Sequence, residues 1–175
     1  MNVQIDINEI NKKILNSTDN LDSESGLEII SEALVYKIYD VFGRNSLLSM
    51  LYQVGKGPGE AISQRIKEKY NKNKFRIEEA LKILINELKE YYSIQIRSVE
   101  QNDGVIRFII ENHCFLSPCI KNREKLEFGK AYCRINKAYF ETALLELTNI
   151  KKIDINFLER DETKDVCVEE LKFYL

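Results

Sequence analysis

The sequence predicts an α+β fold, with an antiparallel sheet of about four to five strands packed against several helices. Three observations carry that reading. Apolar residues in the first half recur every three or four positions, the period of helices. Two stretches of the second half alternate apolar and polar residues, and Asn102-Asp103-Gly104 is a strong hairpin turn. The connections between predicted strands are short, which suits antiparallel neighbours, whereas parallel ones need a long crossover.

Residues 1–25 read as an N-terminal extension. They are turn-rich at Asn16–Asn20 and Asp22–Gly26, and Ile7, Ile10 and Ile14 have the spacing of a short helix. The folded domain is placed at residues 26–175. Leu27, Ile30, Leu34, Ile38 and Val41 form the apolar stripe of an amphipathic helix, and Gly43 is a stop signal just beyond it. Leu47, Leu48, Met50 and Leu51 continue toward Gly55-Lys56-Gly57-Pro58-Gly59. Three glycines and a proline in five residues predict a tight backbone path, with a further helix after it. Arg76 to Leu88 is a helix with Ile77, Leu81, Leu84 and Leu88 on one face. Ile94 and Ile96 then alternate with Gln95 and Arg97, and Val105 to Ile110 is a strand. Ile135 to Leu147 reads as a largely buried helix. Ile153, Ile155 and Phe157 alternate with Asp154 and Asn156, a polar turn covers Arg160 to Asp165, and Val166 to Leu175 closes the sheet.

Composition narrows the function. With 175 residues, 44% of them hydrophobic, the chain can bury a real core without disulfides. Net charge is −2, with acidic and basic residues interspersed, so no electrostatic footprint for nucleic acid is visible. The densest positive run, Arg65, Lys67, Lys69, Lys72 and Lys74, reads as a solvated helix end. No apolar run approaches the ~20 residues of a membrane span. The first twenty residues lack the apolar core of a secretory signal. These features predict a cytoplasmic protein whose thiols stay reduced.

The glycine cluster matches neither the P-loop nor the dinucleotide fingerprint, and is expected at a close helix–helix crossing. Cysteines stand at 114, 119, 133 and 167, without a CxxC knuckle. Strand alternation puts Cys114 on the core side with Ile106, Phe108 and Ile110, and His113 on the other side. Cys167 shares a face with Leu171 and Phe173. A turn centred near Thr163 makes Glu159 and Cys167 near cross-strand partners on the buried side. Four thiolates could close a tetrahedral zinc site, and iron–sulfur ligation is chemically open. The alternative is that the cysteines pack as small apolar groups. His113 is the only histidine and no serine sits in a nucleophile elbow, so no catalytic residue is identified.

Three segments together carry a resemblance. They are Gly43-Arg44-Asn45-Ser46 through Gly59-Glu60-Ala61-Ile62, Cys133-Arg134-Ile135 through Tyr139-Phe140-Glu141, and Val166-Cys167 with Leu171 and Phe173. Over about residues 27–175 the chain resembles the 4-vinyl-reductase-like, or hydrocarbon-binding, domain family. The resemblance implies a fold similar to transport-particle subunits of vesicle traffic and to haem-based nitric-oxide sensors. It implies a homodimer with a pocket for an apolar or aromatic small molecule, for which Phe108, Ile110, Tyr139 and Phe140 are the candidate lining. It also implies zinc, held in related sensor domains by Cys, Glu-x-x-Cys and Cys. Cys133 and Cys167 match the outer cysteines, but Asn156 and Glu159 stand where the inner Glu and Cys belong. Cys114 and Cys119 are the candidates to complete the set, with Glu159 and His113 as further candidates. The family's reductase activity is not implied, because no cofactor motif is present. The expected function is a sensor or binding domain for an apolar, aromatic or tetrapyrrole-like molecule, with a structural metal. The alternatives are a dimeric scaffold without ligand, or an enzyme acting on a tetrapyrrole or aromatic substrate.

Overall fold

The computed structural model describes residues 6–16, 22–116, 131–161 and 163–175. Among the described residues four helices and four strands follow in the order α1 (Ile7–Leu15), α2 (Ser23–Tyr70), α3 (Ile77–Leu88), β1 (Tyr92–Asn102), β2 (Val105–Cys114), α4 (Cys133–Leu147), β3 (Lys152–Asp161) and β4 (Val166–Tyr174). The fold is α+β, as the sequence predicts. The sheet is antiparallel throughout, in the order β1-β2-β4-β3.

Local chemistry sets the helix ends. The carboxylate of Asp6 accepts from the backbone N–H groups of Asn8 and Glu9, and that of Asp22 from Ser25, so α1 and α2 both start on an acidic cap. At the C-terminus of α4, the Lys74 ammonium donates to the carbonyls of Leu145, Glu146 and Thr148, groups that a helix end leaves unpaired. The rest of the positive run forms surface ion pairs, Lys67 with Glu146, Lys72 with Glu79, and Arg65 and Lys69 with Glu87. The hairpin between β1 and β2 turns on Asp103 and Gly104, both at positive φ, as the Asp-Gly pair requires.

Two features of α2 depart from expectation. At Gly43 the backbone leaves helical geometry (φ 76°, ψ 173°), so α2 bends where the stop signal stands. Beyond it, however, Gly55 to Gly59 stays helical with Pro58 inside, rather than forming a tight non-helical path. The other departure is the stripe of Leu27, Ile30, Leu34 and Val41. These four face outward, while Ile38 of the same stripe packs against the core beside buried Val35 and half-buried Tyr36 and Tyr39.

The glycines serve the crossing of α2 over α4. A Cβ on Gly55 would stand 2.2 Å from the carbonyl oxygen of Ile135, and one on Gly59 2.6 Å from that of Tyr139. Only hydrogen fits there. Gly57, on the open side, would meet nothing within 4 Å.

Beneath α4 lies one face of the sheet, where Phe108, Ile110, Ile153, Ile155, Leu171 and Phe173 are buried in a common core with Leu144 and Leu147. The opposite face is an ionic lattice, in which Arg97 pairs with Glu111, and Arg107 with Glu100 and Glu170. One residue of bulge, between Phe157 and Glu159, shifts the β3–β4 register. Arg160, not Glu159, therefore stands opposite Cys167, and Glu159 turns out to solvent near Arg97.

The crossing makes a paired prediction. Gly55→Ala should destabilise the protein by about 1–3 kcal/mol through overpacking. Gly57→Ala should stabilise it by roughly 0.5–1 kcal/mol through helix propensity. Urea unfolding of both variants checks this, and equal effects of the two would refute the close crossing.

Candidate functional site

The N-terminal turns of α4, the middle of β3 and the centre of β4 line a half-open cavity of ≈ 210 Å³. Cys133, Arg134 and Lys137 line it from α4, Ile155, Asn156 and Phe157 from β3, and Glu169 from β4. One part of this wall is apolar (Ile155 and Phe157), and the remainder is polar or charged.

Two of the wall residues, Lys137 and Ile155, are placed by backbone needs. Among the described residues β3 is an edge strand, so Ile155 has no ladder partner there on its outer side. Side chains of α4 supply them. Lys137 Nζ donates to the Ile155 carbonyl at 2.7 Å, and the Ile155 N–H donates to Glu141 Oε1 at 3.0 Å. Lys137 and Glu141 are themselves 3.3 Å apart, one helical turn along α4. The other oxygen of Glu141 accepts from the Tyr52 hydroxyl of α2 at 2.7 Å. Burial and this carboxylate together push the Tyr52 phenol up to about 12. Buried Glu141 thus ties α2, α4 and β3 into one rigid wall.

Glu169 is the chemically distinctive residue. It sits in the core-facing register of β4, between Cys167 and Leu171, and is 7% exposed. Loss of water pushes its carboxyl up to about 7, while a hydrogen bond from the Asn112 side chain acts the other way. The Asn112 side-chain oxygen is also buried and has no hydrogen-bond partner among the described residues. Beside this pair, the Tyr92 hydroxyl donates to Asn136 Oδ1 at 2.9 Å. Burial pushes the Cys114 thiol up, against a hydrogen bond with Asn136, so it stays protonated at neutral pH. A seam of buried polar groups therefore runs along the sheet under α4 and opens into the cavity at Glu169.

The candidate residues of the sequence distribute unevenly over this site. Cys133 lines the cavity, while Cys114 and Cys167 lie buried on the sheet face beneath α4. Cys119 falls outside the described residues. His113 points to the opposite face, half exposed, with Nδ1 2.8 Å from the Asp165 carbonyl oxygen. Glu159 is exposed as well. Among the described residues no three His, Cys, Asp or Glu side chains converge to hold a metal. Phe108, Ile110 and Phe140 are core residues, and half-buried Tyr139 packs against them. Phe108 sits edge-on to Phe173, and Phe140 and Tyr139 edge-on to Tyr92. Glu169, absent from the sequence candidates, was marked by its register, since it alternates in phase with Cys167, Leu171 and Phe173.

Neither a protein-family model nor a curated protein matches this chain. Among solved structures it is similar to the phenol-responsive sensory domain of the transcription activator PoxR, crystallised with phenol. The TM-score is 0.51 at 13% identity, over 84% of this chain and 74% of that one. The likeness establishes a shared fold. No helix among the described residues is long and apolar enough to cross a membrane.

The buried carboxyl yields a pH prediction. An unfolded glutamate titrates near ~4.3, whereas folded Glu169 titrates at about 7. The folded protein holds this proton more tightly, so the group's contribution is full below about pH 4 and is lost as pH rises through 7. Glu169→Gln should therefore gain roughly 2–3 kcal/mol on wild type between about pH 5 and pH 8. Urea melts at both pH values check it, and a constant difference between the two proteins would contradict the buried, uncompensated carboxyl.

Proposed function

We propose that this chain is a small-molecule-binding domain of the sensory type, belonging to the 4-vinyl-reductase-like family and acting in the cytoplasm as a homodimer. Its ligand is a single aromatic ring carrying one hydrogen-bonding group, held in the cavity at the head of α4. The observation that carries this reading is the pairing of an apolar wall, Ile155 and Phe157, with the buried carboxyl of Glu169. A ring would lie on the first, and its polar substituent would face the second. Specific pockets combine an apolar lining with a few fixed polar groups in this way. The phenol bound by the similar sensory domain of PoxR supports the same ligand class. Size supports it too. A half-open cavity of ≈ 210 Å³, below the ~300–1,000 Å³ of drug-sized sites, has room for one ring.

Isothermal titration with phenol, benzoate and indole tests the site. At least one should bind with a Kd of roughly 1 μM to 1 mM, the range open to so few atoms. Glu169→Leu should weaken that binding at least about tenfold, the loss of one buried hydrogen bond. No binding of any of the three, or binding indifferent to Glu169→Leu, would overturn the assignment.

Zinc is a separate proposal, which the cavity does not need. Among the described residues no three candidate ligands converge, so an ion would rest on at most two of Cys114, Cys133 and Cys167 and would have to draw on Cys119 as well. Native against denatured mass spectra of protein purified under reducing conditions decide it. A zinc-sized increment per chain supports the ion, and the bare sequence mass removes it.

A further inference from the structure

The cavity at the head of α4 carries opposite charges on different walls, and they do not neutralise one another. Arg134, Lys137 and Glu141 share one face of α4, at helical spacing. Lys137 is already engaged, 3.3 Å from the Glu141 carboxylate and donating to the Ile155 carbonyl at 2.7 Å. Arg134, one turn nearer the helix N-terminus, is exposed at the rim and has no ion-pair partner among the described residues. On its other side it borders a hollow of α2 lined by Asn45, Leu48, Ser49 and Tyr52, none of them acidic. The first turn of α4 holds no acidic residue either, so the positive end of the helix adds to the guanidinium. On the β4 wall, Glu169 accepts from Asn112 and makes no ion pair with Arg134 or Lys137. Ile155 and Phe157 give the same cavity its apolar part.

We infer that the ligand of this cavity is an aromatic acid with a hydroxyl at the far end of its ring. The carboxylate pairs with the Arg134 guanidinium, the ring lies on Ile155 and Phe157, and the hydroxyl donates to Glu169. The inference rests on the aromatic-ring reading proposed above and adds the acidic group to it. Phenol, with which the similar sensory domain of PoxR was crystallised, has the hydroxyl but not the acid.

Charge is the first argument. The α4 wall presents two cations, Arg134 and Lys137, against the single carboxylate of Glu141, and a neutral ring would leave Arg134 unanswered. Geometry is the second. The planar guanidinium offers two parallel N–H donors that match both oxygens of a carboxylate. Lys137 cannot substitute for it, because drawing that ammonium to a ligand would strip the Ile155 carbonyl and Glu141 of their partner. Orientation is the third. An acid placed against Glu169 would set two carboxyl groups side by side, which disfavours the charge of both. The acid therefore belongs at the Arg134 end, and a hydrogen-bond donor at the Glu169 end.

Isothermal titration of the full chain with 4-hydroxybenzoate, phenol and benzoate tests this, on wild type, Arg134→Gln and Arg134→Lys. Arg134 is exposed, so both variants should fold, and thermal melts check that they do. Wild type should bind 4-hydroxybenzoate at least about tenfold more tightly than phenol, the effect of one charge-assisted pair. Arg134→Gln should abolish that advantage and leave phenol affinity unchanged. Arg134→Lys keeps the charge but loses the fork, and should retain part of the advantage. Phenol bound by wild type as tightly as 4-hydroxybenzoate, or an advantage that survives in Arg134→Gln, would overturn the acid subsite and leave the aromatic-ring reading standing. Binding of none of the three compounds would overturn that reading and this inference together.

Discussion

At Gly55 and Gly59 the backbone of α2 comes against the backbone of α4 so closely that no Cβ fits between them. The remaining architecture follows from that contact. It presses α4 down onto the sheet, brings the Tyr52 hydroxyl within reach of Glu141, and lets Glu141 and Lys137 complete the edge of β3 at Ile155. A helix held farther out could not serve an edge strand in this way. The glycine cluster is therefore a packing device, and the absence of any phosphate-binding pattern in it follows naturally.

The seam under α4 is unusual in how many polar groups it buries. Glu141 is fully satisfied, with partners on three elements, and behaves as a structural bolt. Glu169 accepts a hydrogen bond from Asn112 and lines the cavity, and burial raises its proton affinity. Two buried carboxyl groups on one seam thus differ in setting, one tying three elements together and the other lining the cavity. Buried ionisable groups with shifted affinities, lining a cavity, are the usual signature of a functional position.

Much of this was legible in the residues. Periodicity located α3, α4 and both hairpins, and Asp103-Gly104 marked the β1–β2 turn because only residues tolerant of positive φ stand there. The glycine crossing was legible too, although Pro58 suggested a break where the helix continues. What was not legible has physical causes. The bulge between Phe157 and Glu159 leaves no trace in alternation before it, yet it reverses the facing of every later residue of β3. That single residue removed Glu159 from the side of Cys167. The stripe from Leu27 to Val41 shows an apolar face but not what it packs against: Ile38 meets the core, while Leu27, Ile30, Leu34 and Val41 are exposed. Glu169 was readable in principle, as a carboxylate in phase with Leu171 and Phe173.

The central claim, that a small aromatic ligand seats at the head of α4, is tested most directly by amide chemical-shift mapping of the isotope-labelled protein during a phenol titration. The account predicts saturable shifts centred on Lys137, Ile155, Phe157 and Glu169, with the outward face of α2 unaffected. Shifts confined to the exposed stripe of α2, or no saturable shift at millimolar phenol, would contradict it.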